Sequence, residues 1–147
     1  MAIILIGFLL KLGAAPLHQW VPDVYSGVPL FVTSFFAIFV KFILYVLFIR
    51  FAYHMISGQE LEYAAIISLI VGCFGTLRQV EIKRFLAYGS ITHMGFLLTG
   101  DLISSLVYLA SYVVASFVFF SVLMHLRVNG REFIYISDLR YIASARQ

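Results

Sequence analysis

Long apolar runs separated by short polar or charged breaks set the pattern of this chain. A helix that crosses the hydrocarbon core of a bilayer needs about 20 mostly apolar residues. Measured against that length, the sequence divides into five stretches, residues 1–21, 28–49, 62–77, 85–100 and 102–126. Gly13 and Pro16 interrupt the first, which predicts a broken helix. The second carries one charge, Lys41. The third is short and borrows a turn from the residues before it, and the fourth contains Gly89, His93 and Gly95. The fifth holds no Asp, Glu, Lys or Arg. Residues 127–147 are of mixed polarity and read as a surface tail or an amphipathic helix at the interface. The fold predicted is an all-α integral membrane protein of about five transmembrane helices.

Five spans in series assign the breaks to alternate sides of the membrane. One side receives Arg78, Lys83, Arg84, Arg127, Arg131, Arg140 and Arg146, and the other only Arg50. Basic residues gather on the electrically negative side, so this asymmetry places the 78–84 loop and the tail there. If the fourth stretch were re-entrant, the tail would cross over and the asymmetry would shrink.

Composition agrees with the pattern. The 147 residues are 63% hydrophobic and only 12% charged, and mean hydropathy is +1.01. Soluble domains carry about a quarter charged residues. The formal charge of +3 is too thinly spread to track a phosphate backbone, so nucleic acid is not an expected partner. A single cysteine, Cys73, closes no intramolecular disulfide and holds no iron–sulfur cluster or structural zinc. The N-terminus lacks the basic region and cleavage site of a signal peptide. Phosphate loops, nucleophile–base pairs and metal-ligand spacings are absent, so neither covalent catalysis nor a metal site is expected.

The chemistry lies in polar groups at membrane depth. Of Lys11, Lys41 and Lys83, the first two fall inside spans. At 1.5 Å per residue, Lys41 is about 14 Å from Arg50 and about 18 Å from Pro29, and Lys11 is about 15 Å from Met1. A lysine at that depth costs on the order of 3 kcal/mol and ordinarily faces a polar cavity or a carboxylate. The plainer alternative, snorkelling to an interface, suits neither position. His93 lies about 14 Å beyond Arg84 at similar depth, as a proton carrier or as an ordinary hydrogen-bonded histidine. His18 follows the break at Gly13 and Pro16. Broken helices occur within membranes where protein or water satisfies the freed backbone, which fits an ion path beside Lys11; a simple proline kink is the alternative. His54 and His125 sit at span ends.

Asp23, Glu60, Glu62, Glu81 and Asp101 all lie at span edges. Lys11 and Lys41 therefore either rest neutral or find their acid on another polypeptide, and the second accounts better for so many polar groups in so small a piece. Ala64, Ser68, Gly72 and Thr76 recur every four residues and form a ridge on which a helix of this chain or of a partner can sit closely.

Two stretches carry a resemblance. The first runs Lys11-Leu12-Gly13-Ala14-Ala15-Pro16 and continues through His18, Trp20, Pro22-Asp23-Val24-Tyr25, Gly27 and Pro29. The second runs from Leu77-Arg78-Gln79 through Ile82-Lys83-Arg84 to Ala87-Tyr88-Gly89-Ser90-Ile91-Thr92-His93-Met94-Gly95. Both resemble the antiporter-like chain 2 subunits of respiratory complex I, the NADH:ubiquinone oxidoreductase. Ser137-Asp138-Leu139-Arg140 is similar to a short motif that follows in that family.

The resemblance implies an antiporter-like helical fold in the membrane arm, completed by other chains, with proton translocation coupled to electron transfer from NADH to quinone elsewhere. Lys11 and Lys41 match relay lysines, Lys11 in the broken helix and Lys41 in the next. His93 falls on a motif histidine with a supporting role, and His18 lies in the first motif. Flavin, iron–sulfur clusters and quinone belong to other subunits, and no cofactor is expected here. Expected partners are membrane lipid and other membrane-arm subunits, including chains that supply the missing helices and the carboxylate for Lys11. The location implied is the mitochondrial inner membrane, or alternatively a bacterial plasma membrane. The chain matches only the middle third of a full-length family member. A split subunit and a strongly reduced one are both consistent with that, and the missing carboxylate favours the split. A subunit of a monovalent cation/proton antiporter and a purely structural membrane-arm piece are the competing readings.

Overall fold

The computed structural model describes residues 2–51, 58–126 and 134–138. His54, Arg127, Arg131, Arg140, Arg146, most of the 127–147 tail and the second half of the Ser137–Arg140 motif lie outside these residues.

The described chain is a set of packed helices. These are α1 (Ala2–Leu12), α2 (Trp20–Gly27), α3 (Leu30–Phe35), a π-helical turn (Phe36–Val40), α4 (Lys41–Phe51), α5 (Gly58–Leu77), α6 (Ile82–Thr99) and α7 (Leu102–His125). Three helical runs are long and apolar enough to cross a membrane: Leu30–Arg50, which unites α3, the π turn and α4, then Gln59–Leu77 and Leu102–His125. Ile3–Leu12 is a shorter apolar helix. Large apolar side chains such as Ile66, Ile70 and Phe74 on α5, and Val107, Val114 and Phe117 on α7, point away from the packed interior. Such a surface suits hydrocarbon or further helices.

The predicted break in the first helix is present and its construction is local. Gly13 takes φ +73°, the left-handed conformation in which glycine ends helices. Its N–H donates to the Leu10 carbonyl and the Ala14 N–H to the Leu9 carbonyl, the paired bonds of a Schellman cap. A Cβ at Gly13 would also strike the Val21 side chain. The peptide bond between Ala15 and Pro16 is cis. The chain turns helical again at Trp20, and Pro22 sits in the first turn of α2, where no N–H is needed. The Trp20 indole N–H returns to the Leu10 carbonyl at 2.7 Å. The Ala15 N–H donates to the Ser68 hydroxyl of α5.

The α5–α6 pair packs through small residues. A Cβ added at Gly72 would meet Thr92, one at Gly75 would meet the Tyr88 ring, and one at Gly95 would meet Leu69 and the Ala65 carbonyl. The α5 ridge is thus occupied within this chain: Gly72 receives α6, and Ser68 holds the break. Two apolar clusters fill the interior. One joins Leu5, Leu9 and Leu12 of α1 to Tyr45, Phe48, Met94, Leu97 and Leu109. The other joins Val21 and Tyr25 of α2 to Ala37, Ile38, Ala87, Phe120 and Leu123.

Beyond α7 the chain returns to the start of α6. Glu81 and Tyr135 form an antiparallel bridge, flanked by bonds from the Ile82 N–H to the Ile134 carbonyl and from the Ile136 N–H to the Val80 carbonyl. The α5–α6 connection and the segment after α7 therefore meet at one end of the helices.

Candidate functional site: a buried lysine beside an aromatic cavity

Lys41 begins α4 immediately after the π turn. A π turn inserts a residue into the helical ladder and frees backbone groups, and such turns frequently occur at functional sites. Tyr112 of α7 donates its hydroxyl to the Ala37 carbonyl within this turn, at 3.1 Å. The backbone that delivers Lys41 is thus held from across the bundle.

The Lys41 side chain runs inward and is 2% exposed. Its ammonium nitrogen donates to the Ser90 hydroxyl of α6 at 2.7 Å. Ser90 donates in turn to the Ala87 carbonyl at 2.7 Å. Among the described residues no carboxylate lies within ion-pair distance of Lys41. A peripheral ion pair joins Glu81 to Arg84 at 3.3 Å.

Ser90 opens onto a cavity of about 240 Å³ between α6 and α7. Its polar lining comes from Ser90, His93, Tyr25, Tyr112 and Ser116, and its walls from Phe85, Phe119 and Phe120 among others. A water molecule occupies about 30 Å³ in the liquid, so the space accommodates several. The Tyr25 hydroxyl is buried with no hydrogen-bond partner among the described residues. His93, one turn beyond Ser90, pairs its Nδ1 with the Tyr108 hydroxyl at 2.7 Å, and its ring lies 5.0 Å from that of Tyr112. The site as a whole combines one buried amine, one imidazole, two serine hydroxyls and tyrosine hydroxyls in apolar surroundings. Such groups exchange protons; the described residues offer no cluster of metal ligands.

The four residues singled out from sequence do not converge. His93 lines the cavity, and Lys41 reaches it through its bond to the lining residue Ser90. Lys11, in the last turn of α1, is exposed on the outside of the described helices. His18 lies in the break, its Nδ1 buried and without a hydrogen-bond partner among the described residues, and its ring is 6.4 Å from that of Tyr88. Sequence reasoning gave no role to Ser90, Tyr25 or Tyr112 and took Ser68 only as a small residue of the α5 ridge. Ser90 had one usable signal, its i, i+3 spacing to His93, which places both on one helical face.

A family profile described as NADH:quinone oxidoreductase/Mrp antiporter, TM, matches residues 1–146. The chain belongs to this family. Relatives within it include an NADH-quinone oxidoreductase subunit N of Pelagibacter ubique, 40% identical over 149 residues that cover 92% of this chain and 32% of that protein. The NADH-ubiquinone oxidoreductase chain 2 of Marchantia polymorpha is 35% identical over 151 residues, covering 95% of this chain and 30% of that one. A chain of the structure of respiratory complex I from Thermus thermophilus with bound aureothin superposes with a TM-score of 0.76 at 36% identity, covering 83% of this chain and 29% of that chain. This chain thus spans about a third of the length of the relatives it matches. Family membership and the three apolar spanning helices make it a multi-pass membrane protein.

Proposed function

We propose that this chain acts within the membrane arm of an NADH:quinone oxidoreductase, where Lys41 takes up and releases protons as the charge of its surroundings changes. The observation that carries the reading is the buried Lys41 ammonium, held by a neutral hydroxyl beside a partly polar cavity and unpaired with any carboxylate among the described residues. A structural lysine at such depth would ordinarily be offset by a fixed acid. One without it responds strongly to a charge brought near, because burial weakens dielectric screening. The relatives' membership of NADH-oxidising complexes supplies the reaction that moves such a charge.

In this reading Lys11 and Lys41 are the relay lysines, and His93 assists at the cavity. His18 supports the broken helix beside Lys11. The exposed position of Lys11 suits an acid contributed by a neighbouring polypeptide, and the exposed apolar faces of α5 and α7 suit lipid or further membrane-arm helices. Flavin, iron–sulfur clusters and quinone would then be held elsewhere in the complex. The bridge between Glu81 and Tyr135 favours five crossings, since α6 and α7 leave from and return to one side. The proposed location is the mitochondrial inner membrane or a bacterial plasma membrane.

Mild detergent extraction, native electrophoresis with an NADH dehydrogenase stain and mass spectrometry of the band test the assignment. Migration in a very large NADH-oxidising assembly is the expected result. A small assembly without flavin or iron–sulfur partners would overturn it in favour of a stand-alone cation/proton antiporter.

A further inference from the structure

A lysine ammonium on a flexible four-carbon stem has three donors and no intrinsic direction. Something must hold it at the place where it exchanges a proton. Around Lys41 that element is a single hydroxyl. Ser90 donates to the Ala87 carbonyl, which commits its one proton to its own helix and leaves its lone pairs for the incoming ammonium at 2.7 Å. The direction of the Lys41–Ser90 bond is therefore fixed by a second bond behind it.

The position of Ser90 is fixed as well. The close approach of Thr92 to Gly72 and of Tyr88 to Gly75 fixes α6 against α5, because a close-packed contact leaves little room for one helix to turn on the other. That placement aims Ser90 and His93 into the α6–α7 cavity. On the other side of the cavity, the Tyr112 hydroxyl anchors the π turn that launches Lys41. The lysine is held at its backbone by Tyr112 and at its tip by Ser90. Tyr25, 1% exposed, also lines the cavity, and its hydroxyl is a polar atom that would accept a bond from cavity water.

We infer that Ser90 is a positioning residue for Lys41: its hydroxyl, itself part of the cavity lining, holds the ammonium in the place from which the lysine exchanges its proton. The inference rests on the reading of Lys41 as a proton relay.

The test uses native membrane vesicles holding the complete NADH-oxidising complex, with each substitution made in this chain. Protons translocated per NADH oxidised are measured alongside the amount of assembled complex. Ser90→Ala is expected to lower the ratio about tenfold with assembly retained, the scale of losing one hydrogen bond to a charged group. Ser90→Thr, which keeps the hydroxyl, is expected to recover most of the ratio. Ser90→Cys, nearly the same size but a weak acceptor, is expected to behave as Ser90→Ala, and it decides the question if Ser90→Ala does not assemble. A wild-type ratio in assembled Ser90→Ala or Ser90→Cys overturns the inference, as does a Ser90→Thr complex as impaired as Ser90→Ala. Lys41→Met is run in the same series. A low ratio there beside a wild-type ratio in Ser90→Ala removes the role of Ser90 alone, whereas a wild-type ratio in Lys41→Met removes both readings.

Discussion

The backbone N–H of Ala15 donates to the Ser68 hydroxyl at 2.8 Å, across 53 residues of sequence. Ser68 also donates to the Ala64 carbonyl at 2.7 Å, so a single buried hydroxyl serves both its own helix and the break after α1. Breaking a helix at membrane depth leaves backbone groups that lipid cannot satisfy. Here α5 satisfies one of them, and the Trp20 indole meets the Leu10 carbonyl.

Ser68→Ala leaves the Ala15 N–H buried without an acceptor. The expected cost is about 1–3 kcal/mol, read as a lower thermal midpoint of the detergent-solubilised assembly. A midpoint unchanged from wild type would mean that the break is held by other contacts.

Gly72 and Gly7 make a matched pair. A Cβ at Gly72 meets Thr92, including its backbone, while one at Gly7 meets nothing within 4 Å. Gly72→Ala is expected to cost about 1–3 kcal/mol through overpacking and to lower the yield of assembled protein. Gly7→Ala, on an open face of α1, is expected to be neutral or to gain about 0.5–1 kcal/mol from helix propensity. Equal thermal midpoints for the two variants would contradict the close α5–α6 approach.

Glu81 and Tyr135 face each other in an antiparallel bridge whose flanking bonds make them a non-hydrogen-bonded pair. Cα atoms in such pairs are about 4.5 Å apart, which lies within disulfide range. With the exposed Cys73 replaced by Ser, the double variant Glu81→Cys, Tyr135→Cys is expected to form an intramolecular disulfide on mild oxidation. Diagonal electrophoresis or mass spectrometry of the linked peptides detects it. Labelling of the two cysteines from opposite sides of sealed vesicles would contradict the arrangement.

The architecture was legible in the sequence where one residue decides the local backbone. Gly13 and Pro16 mark the break because a left-handed residue and a missing N–H group have few structural outlets. Lys41 stood out because one charge in an apolar run has no cheap place to go. Orientation was not legible. Helix α1 is apolar nearly all round, so periodicity gave Lys11 a depth but no facing, and the structure puts it outside the described packing. Ser68 was noticed only as a small residue on a ridge, since sequence does not distinguish a serine that permits close approach from one that caps a neighbour. Ser90 and Tyr112 were missed for a related reason. Their roles depend on the rotation of α6 against α5 and on the π turn at Phe36–Val40, and both arise from tertiary packing rather than from local pattern.

The most direct test of the account is proton translocation in native membrane vesicles carrying Lys41→Met, followed as NADH-driven acidification with the quantity of assembled complex measured in the same preparation. A methionine keeps much of the volume and removes the titratable amine. The account predicts normal assembly with NADH-driven proton translocation reduced to the level seen with an uncoupler. Proton translocation at the wild-type rate in a normally assembled Lys41→Met complex would contradict it.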